Sequence, residues 1–509
     1  MSISEVIGGV FGRQVRRAPT PFRHYRRHRH RNMLRGGGVS AAKLQQARAS
    51  WWGDDPRWYP AGTPPRRHNH ITPLVDGEQF FAALHTALTD AQDYVYVIGW
   101  CLTPHIPLLR GDADTLAQTR LLELLATTAQ RVPVRVLLWS GTRAFIPPTR
   151  HATAAVRQEL VAEGSGNLRC ALDTSAHFTH CHHQKAIVVD GRLAFVGGMD
   201  LTTLEGDRWD RHGHALRAGP TWHDVQLRIE GEAVADVEHN FRQRWHATTS
   251  DDDLPHCTPT IDPTWHTPAQ IVRTIPRRVY PSVPRGEFGI HHAYTHALRQ
   301  ARRLIYLENQ YIWSDDIMDA LVTAMNQPGA EKLRIVLVLP ARADRGKWDN
   351  DRHVSTLRDA DGGRGIVSIY SLYTSGPRAG KKPFTYRPTY VHAKVAIIDD
   401  EWLTVGSANL NDRGLVTDSE INVVVRDGDI ARNLRIDLWA EHLSLPREQV
   451  AEADPCDLID HTWVDRAAEN ARIIQEATGP LVCGVHRYAV GHMPGSWLLE
   501  EVEILTFEH

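Results

Sequence analysis

Apolar residues recur at helical spacing through 78–92 (EQFFAALHTALTDAQ), and the stretch DYVYVIGW at 93–100 alternates and then runs apolar, as a buried strand does. The same two periods predict strands at 132–139, 185–190, 193–198 and 224–231, and helices at 119–130 and 232–245. Interleaving of the two is the pattern of an α/β fold. An acidic, proline-bearing stretch at 247–268 interrupts it, and then the order returns: helix at 291–303, strand at 304–313, helix at 320–327, strands at 333–340, 394–399, 403–408 and 420–428, and helix at 430–443. The chain therefore contains an internal duplication with a period of roughly 210 residues. Residues beyond about 450 have no partner in the first half.

With 509 residues the chain exceeds what one hydrophobic core holds, so two lobes are expected, at 76–250 and 286–445. Residues 251–285 read as a linker and 446–509 as a C-terminal extension. Residues 1–75 are arginine- and histidine-rich between Arg13 and Arg35, then rich in Gly and Pro, and too polar to bury a core. They are expected to be flexible, either as a polybasic tether to anionic lipid or as a solvated tail.

Formal charge is only −2, which excludes a bulk electrostatic grip on nucleic acid or lipid. The six cysteines are scattered without CxxC spacing, so neither a zinc ribbon nor a dense disulfide scaffold is expected. There is no apolar signal-peptide core and no spanning run, so a cytoplasmic or peripheral membrane protein is expected.

The chemistry lies in the duplicated segment. HQKAIVVDGRLAFVGGMDLT (183–202) aligns without a gap on HAKVAIIDDEWLTVGSANLN (392–411), so that His183 and His392, Lys185 and Lys394, and Asp190 and Asp399 each stand 209 residues apart. In an extended HxK the imidazole and ammonium share one face. Two such pairs face to face suit a phosphodiester: one histidine attacks phosphorus, the other protonates the departing alkoxide, and the lysines, with Ser407 and Asn409, neutralise the nonbridging oxygens. No metal or other cofactor is required. His177, His180, Cys181 and His182 form an HxxHCHH with zinc-like spacing, but the second copy lacks them, and a lysine suits a phosphate better than a bound dication.

A nucleophilic histidine needs a carboxylate on its other nitrogen. Asp224 and Glu420, each at the head of a period-2 strand, are the matched candidates. Asp190 and Asp399 fall at strand-to-turn boundaries and read as structural caps of turn amides. Glu308 and Gln310 are candidates to line the pocket, and Trp100 and Trp313 to contact acyl chains, against a plain packing role.

These residues resemble the phospholipase D superfamily, whose mark is two HxKxxxxD motifs, here each followed by a Gly-rich element (Gly197–Asp200 and Gly406–Asn409). GWCLTP, RWD with His214, WHDV, FRQRW, IYLENQYIW and GSANLNDRG are similar to the eukaryotic-type branch over roughly residues 76–445. The resemblance implies two pseudo-symmetric lobes, each a mixed β-sheet flanked by helices, with the active site at their interface. It implies a phosphatidylcholine-type substrate at a membrane surface, His183 as nucleophile, His392 as acid and base, and Asp200 among the substrate-binding residues. The TTLEG insert and the second copy's LVTDSE depart from the family pattern. Rival readings are a nuclease, for which the half-repeats show no broad basic run and only the basic tail could supply one, a phosphatidyltransferase of the cardiolipin synthase kind, and a silent scaffold.

Overall fold

The computed structural model describes residues 58–491, apart from 143–146, 165, 178–179, 252, 260, 345 and 378–383. The arginine-rich segment 13–35 lies outside the described residues.

Seven strands form the first sheet: β1 (Asn69–Val75), β2 (Val95–Gly99), β3 (Val134–Trp139), β4 (Leu168–Asp173), β5 (Ala186–Val189), β6 (Leu193–Gly197) and β8 (Val225–Gly231), in the order β1-β8-β6-β5-β2-β3-β4. Between β6 and β8, β7 (Thr221–His223) leaves to join the other sheet. That sheet contains β9 (Ala269–Ile275), β10 (Glu287–Phe288), β11 (Leu304–Asn309), β12 (Arg334–Val338), β13 (Val367–Pro377), β14 (Phe384–Val391), β15 (Lys394–Ile398), β16 (Trp402–Gly406) and β17 (Glu420–Val425). Its central order, β9-β17-β16-β15-β11-β12-β13, repeats the first sheet strand for strand, with β10, β14, β7 and β18 (Val485–Arg487) added at its margins.

Period-2 alternation divides each strand between two cores. In β2, Tyr96 and Ile98 face a core shared by both sheets, while Val95 and Val97 face the helices α1 (Asp76–Asp90) and α2 (Leu121–Ala129). Strand β12 does the same: Val336 and Val338 enter the shared core, Ile335 and Leu337 the outer one beneath α5 (Gly289–Gln300) and α6 (Asp315–Met325). Helices α4 (Val234–Thr248) and α8 (Gly428–Leu443) contribute Phe241, Trp245, Leu438 and Trp439 to the shared core. Helices α3 (Arg150–Glu163) and α7 (Lys347–Asp361) lie in stretches whose pattern is too polar to have predicted them.

Two expectations need correction. Residues 58–75 are not loose: Trp58 is buried, Arg66 bridges to Ala269, and β1 pairs with β8 through seven residues. The linker is also shorter than 251–285, because all of β9 is buried in the second sheet.

Asp190 and Asp399 both hold left-handed backbone, at φ 56° and 53°. The Asp190 carboxylate accepts from the amides of Gln92, Asp93 and Tyr94, and that of Asp399 from Arg302, Arg303 and Leu304. Each therefore ties the turn after its motif to the start of the neighbouring antiparallel strand, β2 or β11.

Candidate active site

The segments leading into the two motif strands each cross to the other lobe. His183 N donates to Ser419 O and Ser419 N to Cys181 O, while His392 N donates to His223 O at 2.8 Å, beside the β14–β7 ladder. Each histidine is thereby placed against the carboxylate that heads the other lobe's strand. His183 Nδ1 donates to Glu420 Oε1 at 2.9 Å, and His392 Nδ1 to Asp224 Oδ2 at 2.6 Å. With Nδ1 carrying the proton, each Nε2 keeps a free lone pair.

The Gly-rich elements make room for these carboxylates. A Cβ at Gly198 would stand 2.1 Å from Asp224 Oδ1. Ser407, at the equivalent place, instead donates its hydroxyl to Glu420 Oε2 at 2.5 Å.

The lysines fold back onto their own motifs. Lys185 Nζ donates to His183 O at 2.9 Å and pairs with Asp200 at 3.0 Å; Lys394 Nζ donates to His392 O and to Gln310 Oε1, the latter at 3.3 Å. Trp100 and Gln310 follow β2 and β11 at matching positions: the first lies beside Lys185 (5.9 Å) and His183 (5.9 Å), the second holds Lys394. Trp222 flanks His392 with ring centroids 5.2 Å apart.

Burial, then the Lys185 and Lys394 ammonium groups, hold His183 well below the ordinary imidazole range. Burial, followed by Lys394 and Arg208, does the same for His392. Burial also pushes Asp224 up to about 7 and Glu420 upward, and it pushes Lys394 down to about 7. Both imidazoles are thus neutral in a pocket where every charge is costly, which is the state a nitrogen nucleophile requires.

The structure brings His183, His392, Lys185, Lys394, Asp224, Glu420, Ser407, Gln310 and Trp100 together. Asn409 is also buried here, and its Oδ1 has no hydrogen bond among the described residues. Two placements differ from expectation. Asp200 is 2% exposed and holds Lys185 and Trp100 N, so it braces the pocket instead of facing substrate. Glu308 does not line the pocket: it is fully buried, gripped by His223 and His442 at 2.8 Å each. The HxxHCHH histidines disperse, His177 to Arg277 O and His182 to Asp173 and Ser419. Trp313 packs against Tyr311, with ring centroids 4.3 Å apart.

Arg208, quoted within RWD, was not among the site residues expected from the sequence. It is 2% exposed, lies over Trp222, approaches Asp200 at 3.7 Å, and bears electrostatically on both histidines. Its Nε and Nη1 have no hydrogen bond among the described residues, which leaves donors for an anion. The only signal was its place immediately before the Trp209–Asp210 pair.

Comparison with known proteins agrees with this arrangement. Residues 87–221 match the family profile described as Phospholipase D, and 294–440 that described as Cardiolipin synthase, PLD-like domain. Phospholipase D A of Dictyostelium discoideum is 26% identical over an alignment covering 75% of this chain and 36% of that protein. Phospholipase D alpha 1 of Oryza sativa subsp. japonica is 25% identical, covering 73% and 65%. The chain thus spans between about a third and two thirds of the lengths of these two relatives. The crystal structure of phosphatidylserine synthase from Haemophilus influenzae Rd KW20 shares the fold, with a TM-score of 0.50 at 12% identity, over 81% of this chain and 96% of that one. Each half matches a phospholipase D-type profile, the two sheets repeat one another, and the paired motifs meet between them: the chain belongs to the phospholipase D superfamily.

Proposed function

We propose that the protein is a phospholipase D-type phosphodiesterase, hydrolysing the distal phosphodiester of glycerophospholipids of the phosphatidylcholine type to phosphatidic acid and free head group. The observation that carries this reading is the exchange of carboxylates between lobes, which presents two neutral, oriented imidazoles and two ammonium groups to one phosphoryl group. His183 is the nucleophile, since its side chain keeps 15% exposure against 5% for His392. Its Nε2 attacks phosphorus, the bond to the head-group oxygen breaks, and that oxygen takes a proton from His392 Nε2. His392 acquires that proton when the phosphodiester anion enters, because a negative charge beside an imidazole favours its protonated form. Water then yields a proton to His392 and attacks phosphorus, the P–N bond breaks, and His183 is released. Lys185, Lys394 and Arg208 offset the charge on the nonbridging oxygens, and no cofactor takes part in these steps.

A second reading shares the intermediate: an alcohol replaces water, giving phosphatidyl transfer. The second-half profile, described by a synthase, favours including it. Among the described residues no helix is long and apolar enough to cross a membrane, so access to lipid would be from the surface. The test is head-group release from a panel of phospholipids, with and without a primary alcohol, alongside plasmid DNA. Choline release supports the reading, an alcohol adduct adds transfer, and nicking without lipid turnover would replace it with a nuclease.

A further inference from the structure

Beside the His392–Asp224 pair lies a second cluster that the reaction does not use. His223 Nδ1 faces Asp76 Oδ1 at 3.0 Å, and His214 Nε2 lies 3.6 Å from Asp76 Oδ2 and 3.5 Å from Glu441 Oε1. One donor atom from each of Asp76, His214, His223 and Glu441 falls within 4.8 Å of the other three, and all four residues are buried. The His214 separations are long for hydrogen bonds, yet they match the edge of a tetrahedron: ligands held about 2.0–2.2 Å from a cation stand about 3.3–3.6 Å apart.

A second observation points the same way. Asp76 Oδ2, both ring nitrogens of His214 and Glu441 Oε2 are buried polar atoms without a hydrogen bond among the described residues. Such orphans are rare in a folded interior, and Asp76 Oδ2, His214 Nε2 and a Glu441 oxygen in one place call for a ligand that satisfies them together, while His214 Nδ1 turns outward. The surroundings fit a metal as well. The outer nitrogen of each histidine faces a further carboxylate: His223 Nε2 meets Glu308 at 2.8 Å, and His214 Nδ1 lies 3.5 Å from Asp210. Carboxylate–histidine pairs of this kind fix the tautomer and orientation of metal-bound imidazoles. Glu441 also borders an open cleft of about 620 Å³ that includes His212 and Gln79, which gives an ion a route in.

We propose that Asp76, His214, His223 and Glu441 bind one structural divalent cation of the zinc class. The ion fastens the first lobe, through the start of α1, the loop after the Trp209–Asp210 pair and β7, to α8 of the second. Two carboxylates and two imidazoles suit zinc in charge and ligand type. The ion takes no part in phosphoryl transfer; it holds the strand end that carries Asp224.

The full-length chain is stripped with a strong chelator, reloaded with Zn²⁺ or Co²⁺, freed of excess metal and assayed by elemental analysis, visible absorption and thermal unfolding. The expected result is about one equivalent per chain, a tetrahedral Co²⁺ spectrum, and a Tm that rises by several degrees with Zn²⁺. His214→Ala and the milder Glu441→Gln should weaken binding about tenfold or more and abolish the Tm shift, while His177→Ala, in the exposed loop, should leave stoichiometry unchanged. Should His214→Ala fail to fold, Glu441→Gln carries the comparison. A wild type that takes up no metal and shows no Tm shift overturns the proposal in favour of a proton-bridged cluster; metal lost on His177→Ala but kept in His214→Ala overturns it in favour of a loop site. Lipid turnover is not read, so failure of the hydrolase reading would leave this outcome intact.

Discussion

The two histidine–carboxylate pairs occupy equivalent places in a repeated fold, yet they are built differently. Glu420 reaches His183 on the longer side chain and is braced by the Ser407 hydroxyl. Asp224 reaches His392 with one carbon fewer, passes over Gly198 where no side chain fits, and takes its own brace from the amide of Val225. Trp100 lies beside the first histidine, and Trp222, from the exchanged strand, beside the second. A duplicated backbone thus sets the positions of the two imidazoles, while small substitutions around it make them unequal: His183 is the more open and His392 the more enclosed, the difference on which the proposed division of roles rests.

The largest effect should come from the imidazoles themselves. His183→Ala and His392→Ala should each lower kcat on the order of 10⁴-fold. They differ in what accumulates: with a head group that leaves without protonation, His392→Ala should trap a phosphatidyl adduct visible by intact-protein mass spectrometry, and His183→Ala should not. An adduct on the reverse variant would exchange the two roles. Next come the carboxylates, where Glu420→Gln and Asp224→Asn should each cost about 10²- to 10⁴-fold in kcat with KM little changed, because a wrongly oriented imidazole still leaves the pocket able to bind.

Lys394 should show a conflict between activity and stability. Its value when folded, about 7, lies below the ordinary 10.5, so the penalty for burying its charge is fully present below pH 7 and is relieved as pH rises between those limits. Lys394→Met should therefore be inactive yet more stable than the parent below pH 7, by about 2 kcal/mol, with the gain shrinking toward pH 10.5 in denaturant titrations. The smallest effect belongs to Ser407→Ala, which removes one brace and should lower kcat by about 3- to 10-fold, measured as head-group release. A loss comparable to that of Glu420→Gln would make the hydroxyl a participant in the reaction.

Much of this arrangement was legible in the chain. The constant spacing of the HxK pairs marked the duplication, and a carboxylate heading each period-2 strand marked Asp224 and Glu420. Which carboxylate serves which histidine was not legible, because the pairing depends on strand ends that cross between lobes, and local periodicity says nothing about partners some 170–240 residues away. Glu308 looked like a pocket residue because Glu308–Gln310 fall where the first half has Ile98–Trp100; His223 and His442, distant in sequence, make its burial tolerable. Strand β1 went unseen because NHITPLV contains a proline and sits at a sheet edge, where only its partner gives it a strand's regularity. Helix α3 buries only Thr153 and Leu160, and most of what α7 buries is polar (Asn350, Asp351, His353 and Asp361 beside Val354 and Leu357), so their sequences carry little of the apolar stripe that betrays a helix.

The exchanged strand ends also bear on biosynthesis. An amino-terminal half newly emerged from the ribosome would carry His183 and Lys185 without Glu420, and so would present an imidazole free to turn and to take up protons. On the proposed mechanism, hydrolysis needs both halves docked, since each histidine takes its carboxylate from the other lobe.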